Sequence, residues 1–187
     1  MGDLLVPVDA RSKTWEVRRR PPSPARVASA LAIVEGDRKA VDPSDWTFAK
    51  ETVVLDALIK KEPAVEVEIQ AVQVGPAVFV TTPAEYFCRY GQEIKAASGF
   101  PFTFPVSLAN GCVGYVPTLD AFGPEGGGYE TRLTSYSNLD ITAGDQFRDA
   151  GITLARQLRP GAAIEPPRRP PFTGKPWAYG NNRPERE

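Results

Sequence analysis

The chain of 187 residues contains no histidine and only two cysteines. Imidazole and thiolate are common zinc ligands, so their scarcity limits any zinc site that this chain can build alone. Cys88 and Cys112 lie far apart and have no nearby histidine or second cysteine, which excludes a zinc finger or a dense disulfide framework. Because each has apolar neighbours in the sequence, we predict that both are buried thiols.

Two further absences exclude classes of partner. No apolar run approaches the roughly 20 residues needed to cross a bilayer, so no transmembrane segment is predicted. The formal net charge of −1 provides no general attraction to nucleic acid. The N-terminal apolar stretch is short, is interrupted by Pro7 and follows no basic region, so it does not predict a secretion signal. The compartment in which the protein works stays open.

The composition is that of a globular protein, with 42% hydrophobic and 24% charged residues. Segments of helical and of alternating periodicity follow one another, which predicts an α/β fold in which a mixed sheet is flanked by helices. We assign this domain to residues 1–159. Residues 160–187 are rich in proline and arginine and are predicted to form a flexible tail, in which Phe172 and Trp177 touch the domain.

The strict alternation of residues 65–72 is the clearest strand pattern, and the Gly75-Pro76 turn after it predicts a hairpin with residues 77–80. The loose alternation of residues 13–20, which ends at a proline cluster, predicts an edge strand. A further strand is expected over residues 104–108. Helices are predicted over residues 25–34, 43–61, 84–97 and 143–158.

Glu85 is the first candidate for a functional carboxylate. It follows the strand Val78–Val80 and Pro83, which suits the first turn of a helix. Side chains at the carboxyl end of a strand in an open α/β sheet frequently belong to active sites. The alternative is that Glu85 only complements the helix dipole.

Tyr115 and Tyr129 are the candidate phenols. Tyr115 follows Gly111 and Gly114, which allow a tight path after a strand, and Tyr129 follows three glycines that could let it move over a substrate. Tyr115 is alternatively a core tyrosine with a satisfied hydroxyl, and Tyr129 an exposed loop residue. Asn110 either orients a neighbour or stabilises the turn.

Together these motifs resemble the neutral/alkaline, non-lysosomal ceramidase family. The stretch from about Val65 to Leu158 is similar to the second half of that family's catalytic domain. Pro83-Ala84-Glu85 occupies the place of a PGE turn whose glutamate is a zinc ligand, although alanine replaces the glycine. The run from Asn110 to Tyr115 matches an N-x-x-x-x-Y pattern, and Tyr129-Glu130 matches a later YE pair.

The resemblance implies a partial catalytic domain of a zinc amidase that hydrolyses the N-acyl amide bond of ceramide-like lipids. Glu85 and Tyr115 would be metal ligands, and Tyr129 would be a catalytic residue that hydrogen-bonds the substrate carbonyl oxygen. Two imidazoles would complete the Zn²⁺ site, and in the family they lie in the first half of the domain. Relatives in the family are often secreted or membrane-associated.

Three interpretations fit a chain without histidine. It is a fragment or split subunit completed by a histidine-bearing N-terminal half on another chain. It is a non-catalytic ceramidase-like module for binding or scaffolding. Or it is an unrelated α/β domain that binds a small polar ligand near Glu85, in which case Tyr115 should be buried away from that carboxylate. The first interpretation also predicts an exposed apolar face where the missing half docks.

Overall fold

The computed structural model describes residues 6–163. The predicted tail beyond Ala163, with its contacts through Phe172 and Trp177, lies outside the described residues. In chain order the elements are β1 (Val8–Arg18), α1 (Pro24–Glu35), α2 (Pro43–Lys61), β2 (Ala64–Val74), β3 (Ala77–Thr81), β4 (Glu85–Tyr86), α3 (Cys88–Ala97), β5 (Phe102–Val106), β6 (Tyr115–Val116) and α4 (Ala143–Arg156). Short 3₁₀ helices cover Arg38–Ala40, Leu119–Phe122 and Tyr129–Thr131.

The main sheet has four strands in the order β1-β2-β3-β5. β1, β2 and β3 pair antiparallel, whereas β5 runs parallel to β3. A parallel neighbour requires a crossover, and α3 supplies it between β3 and β5. The predicted α/β fold with a mixed sheet flanked by helices is therefore confirmed, and β1 is the edge strand that the sequence predicts.

One face of this sheet is covered by α3 and α4, and the hydrophobic core lies between them. The alternation in β2 turns Val67, Ile69 and Ala71 into this core. α4 approaches closely because Gly151 has no side chain, since a Cβ there would lie 2.7 Å from Cγ1 of Val80. Phe147 of α4 is fully buried in the same core.

α1 and α2 pack mainly against each other, beside the sheet. Asp42 caps α2 by accepting a hydrogen bond from the amide of Ser44. The side chain of Glu51 accepts hydrogen bonds from Ser135, which joins α2 to the segment before α4. The second face of the main sheet is covered by no helix among residues 6–163, and we call it the open face.

Several element boundaries differ from those predicted. The helix expected over residues 84–97 begins at Cys88, because Glu85–Tyr86 pairs as a strand instead. The strand expected at 104–108 is Phe102–Val106. The last helix ends at Arg156, although Leu158 beyond it is buried in the core. Within residues 6–163, no helix has the length and apolarity that crossing a membrane requires.

The prediction that both cysteines are buried is wrong, because Cys88 and Cys112 are exposed. Cys88 is the first residue of α3 and lines an open pocket. Cys112 lies in the loop between β5 and β6 and is 3.2 Å from the Tyr136 hydroxyl. Apolar neighbours in sequence do not bury a residue at a helix start or in a loop, where successive side chains point in different directions.

Candidate functional site

β3 and β5 are parallel, so both strands end at the same edge of the main sheet. The candidate site lies at this edge. Directly beyond these strands, β4 and β6 form a parallel pair of two residues each. In this pair Glu85 and Tyr115 are Cα partners. Side chains of directly paired residues project to the same face, so the two residues present their oxygens to one region.

Glu85 is therefore positioned differently from the sequence prediction. It belongs to a strand and not to the first turn of a helix, since α3 begins only at Cys88. A favourable interaction with a helix dipole falls off beyond the first turn. The alternative in which Glu85 merely complements the dipole loses its structural basis.

Backbone hydrogen bonds hold the Glu85 segment in place. The amide of Glu85 donates to the carbonyl of Gly114 at 3.0 Å, and the amide of Val113 donates to the carbonyl of Pro83 at 2.8 Å. Ala84, which stands where the similar PGE turn has glycine, is fully buried. Its φ is not positive, so this backbone conformation does not require glycine.

Three side chains lie around Glu85 and Tyr115, namely Tyr129, Tyr136 and Cys112, and we call these five residues the tyrosine cluster. The Tyr136 hydroxyl donates a hydrogen bond of 2.7 Å to Oε1 of Glu85. The hydroxyls of Tyr115 and Tyr129 are 3.4 Å apart. The ring of Tyr115 packs edge-on against both other rings, with centroid distances of 5.3 Å to Tyr129 and 5.8 Å to Tyr136.

Gly114 is the residue that lets two loops meet at the cluster. A Cβ on Gly114 would lie 1.9 Å from the carbonyl oxygen of Tyr136, and its φ of +79° is one that other residues rarely adopt. The next amide, that of Tyr115, donates to Oγ of Ser137 at 3.0 Å. The glycine thus brings the β6 segment against residues 136–137.

The surroundings of Tyr115 and Tyr136 keep these two phenols protonated. The hydrogen bond with Tyr129 is the main cause that raises the pKa of Tyr115, followed by desolvation and by the Glu85 carboxylate. The contact with Cys112, and then the hydrogen bond to Glu85, raises the pKa of Tyr136. Both groups are neutral hydrogen-bond donors at pH 7, and Tyr115 would act as a phenolate ligand only beside a bound cation.

The cluster borders an open pocket of about 420 Å³. The lining combines the Glu85 carboxylate and the Tyr115 phenol with apolar side chains, including Phe87 and Leu108. Leu108 is 52% exposed and adopts a φ of +54°, which costs energy for a leucine. The pocket therefore offers polar oxygens next to an apolar wall.

Not every predicted role is supported by a contact at the site. Asn110 has a φ of +62° and its amide lies 3.4 Å from Oε2 of Glu68, so it serves the turn and orients no residue of the cluster. Tyr129 is 62% exposed, and its contact with the other cluster members is through Tyr115.

The donor set fits half of a zinc site. No three residues among the cysteines, aspartates and glutamates of residues 6–163 converge to hold a metal ion. Glu85 and Tyr115 offer two oxygens, whereas catalytic zinc sites have three protein ligands, commonly including imidazoles. Nitrogen donors from outside the described residues would be needed to hold zinc tightly.

Tyr136 and Ser137 are the members of the site that the sequence did not reveal. They lie in the irregular segment before α4 and match no motif. Tyr136 is 51 residues away from Glu85 along the chain, so only the folded chain brings them together. The one available signal was the polar run Thr134–Asn138, which includes the buried residues Ser137 and Asn138.

No protein-family model matches the sequence, and no curated protein matches it. Among solved structures, the crystal structure of neutral ceramidase from Pseudomonas aeruginosa is similar, with a TM-score of 0.51 and 16% identity over 84% of this chain and 30% of that chain. A structure of ceramidase complexed with C2 gives a TM-score of 0.50 and 17% identity, over 86% of this chain and 32% of that chain. This likeness shows a ceramidase-like fold, and the chain spans about a third of the length of those proteins.

Proposed function

We propose that Glu85 and Tyr115 form the oxygen half of a zinc site in an amidohydrolase that acts on ceramide-like lipid amides. In this proposal the chain is a subunit or fragment, and a histidine-bearing polypeptide supplies the two imidazoles. The observation that carries the proposal is the register of β4 and β6, which makes Glu85 and Tyr115 direct partners. Two oxygen donors then face one open pocket.

The residues around the proposed metal ligands have supporting roles. Tyr136 orients the Glu85 carboxylate by donating a hydrogen bond to its Oε1. Tyr129, exposed beside Tyr115, can donate a hydrogen bond to the carbonyl oxygen of an amide substrate as negative charge develops there. When bound, zinc would polarise a water molecule for attack on that carbonyl.

The pocket and the fold both support this substrate class. A lipid amide needs a polar region for its amide and headgroup and an apolar surface for its chains. The polar oxygens and the exposed Leu108 provide both in the same pocket. The solved ceramidases with a similar fold support the same choice.

A non-catalytic ceramidase-like binding module is the second candidate. It is favoured because no three cysteine, aspartate or glutamate side chains of residues 6–163 converge to hold a metal ion. An unrelated α/β binder is less compatible with the geometry, because that interpretation expects Tyr115 to be buried away from Glu85. The two residues are instead strand partners.

Zinc binding with imidazole supplied in solution tests the proposal on the chain as it exists. The probe is Zn²⁺ in equilibrium dialysis, with and without free imidazole as a substitute for the missing nitrogen donors. We expect imidazole to raise the amount of zinc bound by the wild-type chain, and Glu85→Gln or Tyr115→Phe to abolish that increase. Glu125→Gln, a change in a nearby loop, should behave as wild type.

The result that would refute the metal site is an imidazole effect of equal size in the wild type and in Glu85→Gln. If wild type and variants bind no zinc under any condition, the non-catalytic module becomes the better description. Tyr129→Phe separates the roles further, because it should leave zinc binding unchanged while a reconstituted enzyme loses turnover.

A further inference from the structure

The open face of the main sheet is apolar over half of its length. The strand registers align its exposed side chains into rows that cross all four strands. One row is Ala10, Val72, Phe79 and Phe104, and the next is Val8, Val74, Ala77 and Phe102. Two complete rows without a polar side chain form a continuous apolar surface.

The aromatic residues of this surface are left in contact with solvent by residues 6–163. Phe79 is 37% exposed and Phe104 is 48% exposed, and their rings stack with centroids 5.1 Å apart. Exposed apolar surfaces of this kind commonly mark a protein interface. The free-energy cost of leaving these two phenyl rings in water grows with the apolar area that they expose.

The other half of the open face carries three carboxylates, and Arg18 lies in the last row, beyond Glu16. Glu16 and Glu66 are Cα partners on β1 and β2, and Glu68 lies one row further along β2. Like charges directly opposite each other destabilise a sheet. No ion pair within residues 6–163 neutralises any of these three carboxylates. A partner with basic side chains over this half would relieve the repulsion.

The open face also leads directly to the candidate site. Thr81 and Val106, the last residues of β3 and β5, are paired, and the segments that carry Glu85 and Tyr115 follow them. Glu68 on the face lies 3.4 Å from the amide of Asn110 in the loop between β5 and β6. A polypeptide that covered the face would therefore extend to the edge of the pocket.

We propose that the open face docks the histidine-bearing polypeptide that completes the site, and that this polypeptide contributes a second β-sheet. The inference rests on the proposed function. Two sheets pack face to face at about 10 Å through rows of apolar side chains, which is the surface that Phe79 and Phe104 provide. The partner sheet carries apolar residues over these rings and basic residues over Glu16 and Glu66.

A second copy of the chain fits this face less well. A two-fold axis through the apolar rows would leave the carboxylates of both copies uncovered. An axis through the middle of the face would instead place the carboxylates against the phenylalanines of the other copy, which leaves buried charges unpaired. The ceramidase structures are about three times as long as their match to this chain, so a similar fold leaves ample polypeptide to supply the second sheet.

Site-specific photo-crosslinking of the full chain in its native cells identifies the occupant. A photoreactive phenylalanine analogue is placed at Phe79, and a matched control carries it at Leu31, an exposed apolar residue of α1. Mass spectrometry identifies the crosslinked peptide. The proposal expects a crosslink from Phe79, and none from Leu31, to a histidine-containing polypeptide that is similar to the remaining part of the ceramidase fold.

Other products overturn the proposal. A crosslink to a second copy, to residues 164–187 of the same chain or to lipid identifies a different occupant, and no crosslink at all shows that the face stays bare. As an independent measurement, Phe79→Asp should weaken binding of the identified polypeptide by about tenfold or more, whereas Leu31→Asp should not. Circular dichroism checks that both variants fold.

This interface and the proposed function fail in distinguishable ways. If the polypeptide crosslinks at Phe79 but the complex binds no zinc, the interface stands and the metal site does not. If the complex binds zinc through Glu85 while Phe79→Asp leaves the assembly intact, the metal site stands and the docking face is wrong.

Discussion

The hydroxyl of Tyr136 donates a hydrogen bond of 2.7 Å to Oε1 of Glu85, across 51 residues of chain. This contact fixes the orientation of the only carboxylate in the β4–β6 pair. It also ties the segment before α4 to the strand that carries the candidate metal ligand. Tyr136 is accordingly a positioning residue, because it acts on the site through Glu85.

Removing the Tyr136 hydroxyl should release the Glu85 side chain with little loss of stability. Because the hydrogen bond is solvent-exposed, Tyr136→Phe should lower the free energy of unfolding by less than about 1 kcal/mol. A double-mutant cycle with Glu85→Gln, measured by urea denaturation, isolates the pair. Strictly additive effects would show that the two side chains do not interact in solution.

The phenols of Tyr115 and Tyr136 should resist ionisation. An isolated tyrosine ionises at about pH 10, whereas the hydrogen bonds and the Glu85 carboxylate raise the pKa of both residues. Carbon-13 NMR of labelled tyrosine can follow each titration. Glu85→Gln removes a negative charge and should lower both pKa values. An unchanged titration in that variant would place Glu85 away from the phenols.

Tyr90 is expected to make stability sensitive to alkaline pH. Burial raises the pKa of Tyr90 to about 12, and its hydroxyl has no hydrogen-bond partner within residues 6–163. The unfolded chain loses the Tyr90 proton at about pH 10, whereas the folded chain keeps it until about pH 12. The contribution that this proton makes to the free energy of unfolding is therefore complete below pH 10 and is lost as pH rises through 12.

Tyr90→Phe tests both consequences of that burial. At pH 7 the variant should be more stable by about 1–3 kcal/mol, because an unsatisfied buried hydroxyl is removed. Its stability should also fall less between pH 10 and 12. Urea denaturation across this range measures both effects. Tyr129→Phe serves as the control, since Tyr129 is largely exposed, and a similar gain in that variant would argue against the explanation.

Gly114→Ala should disrupt the site more than a comparable change elsewhere. The added Cβ would lie 1.9 Å from the Tyr136 carbonyl oxygen, which forces the two loops apart. Gly99 is a matched control, with a φ of +83° and nothing within 4 Å of an added Cβ. Gly99→Ala should cost about 1 kcal/mol from its backbone conformation alone, and Gly114→Ala clearly more. Thermal denaturation of both variants gives the comparison, and equal losses would contradict the close approach.

Both cysteines should react in the folded protein. Cys88 and Cys112 are exposed, so a thiol reagent should modify both without denaturant. Titration with a chromogenic disulfide, compared with the denatured chain, counts the accessible thiols. Fewer than two fast-reacting groups in the native protein would contradict their exposure.

The amino-acid sequence determined the strands and helices with strong periodicity. The alternation in β2 and the turn at Gly75 predicted the hairpin, and the apolar spacing of α4 placed Phe147 in the core. These features are local, because the period of the side chains selects the element and the face that is buried. The resemblance to ceramidases likewise came from short motifs, and the structure supports it at the level of the fold.

Only the tertiary structure decided how the candidate site is assembled. Glu85 lies in a strand because β6 pairs with it, and this partner is about 30 residues away, beyond the range of local periodicity. Tyr136 reaches Glu85 only because Gly114 allows two loops to touch. The apolar rows on the open face depend on the strand registers, which no single segment contains. Contacts between distant segments depend on the whole chain's packing, and for that reason they could not be obtained from the sequence patterns.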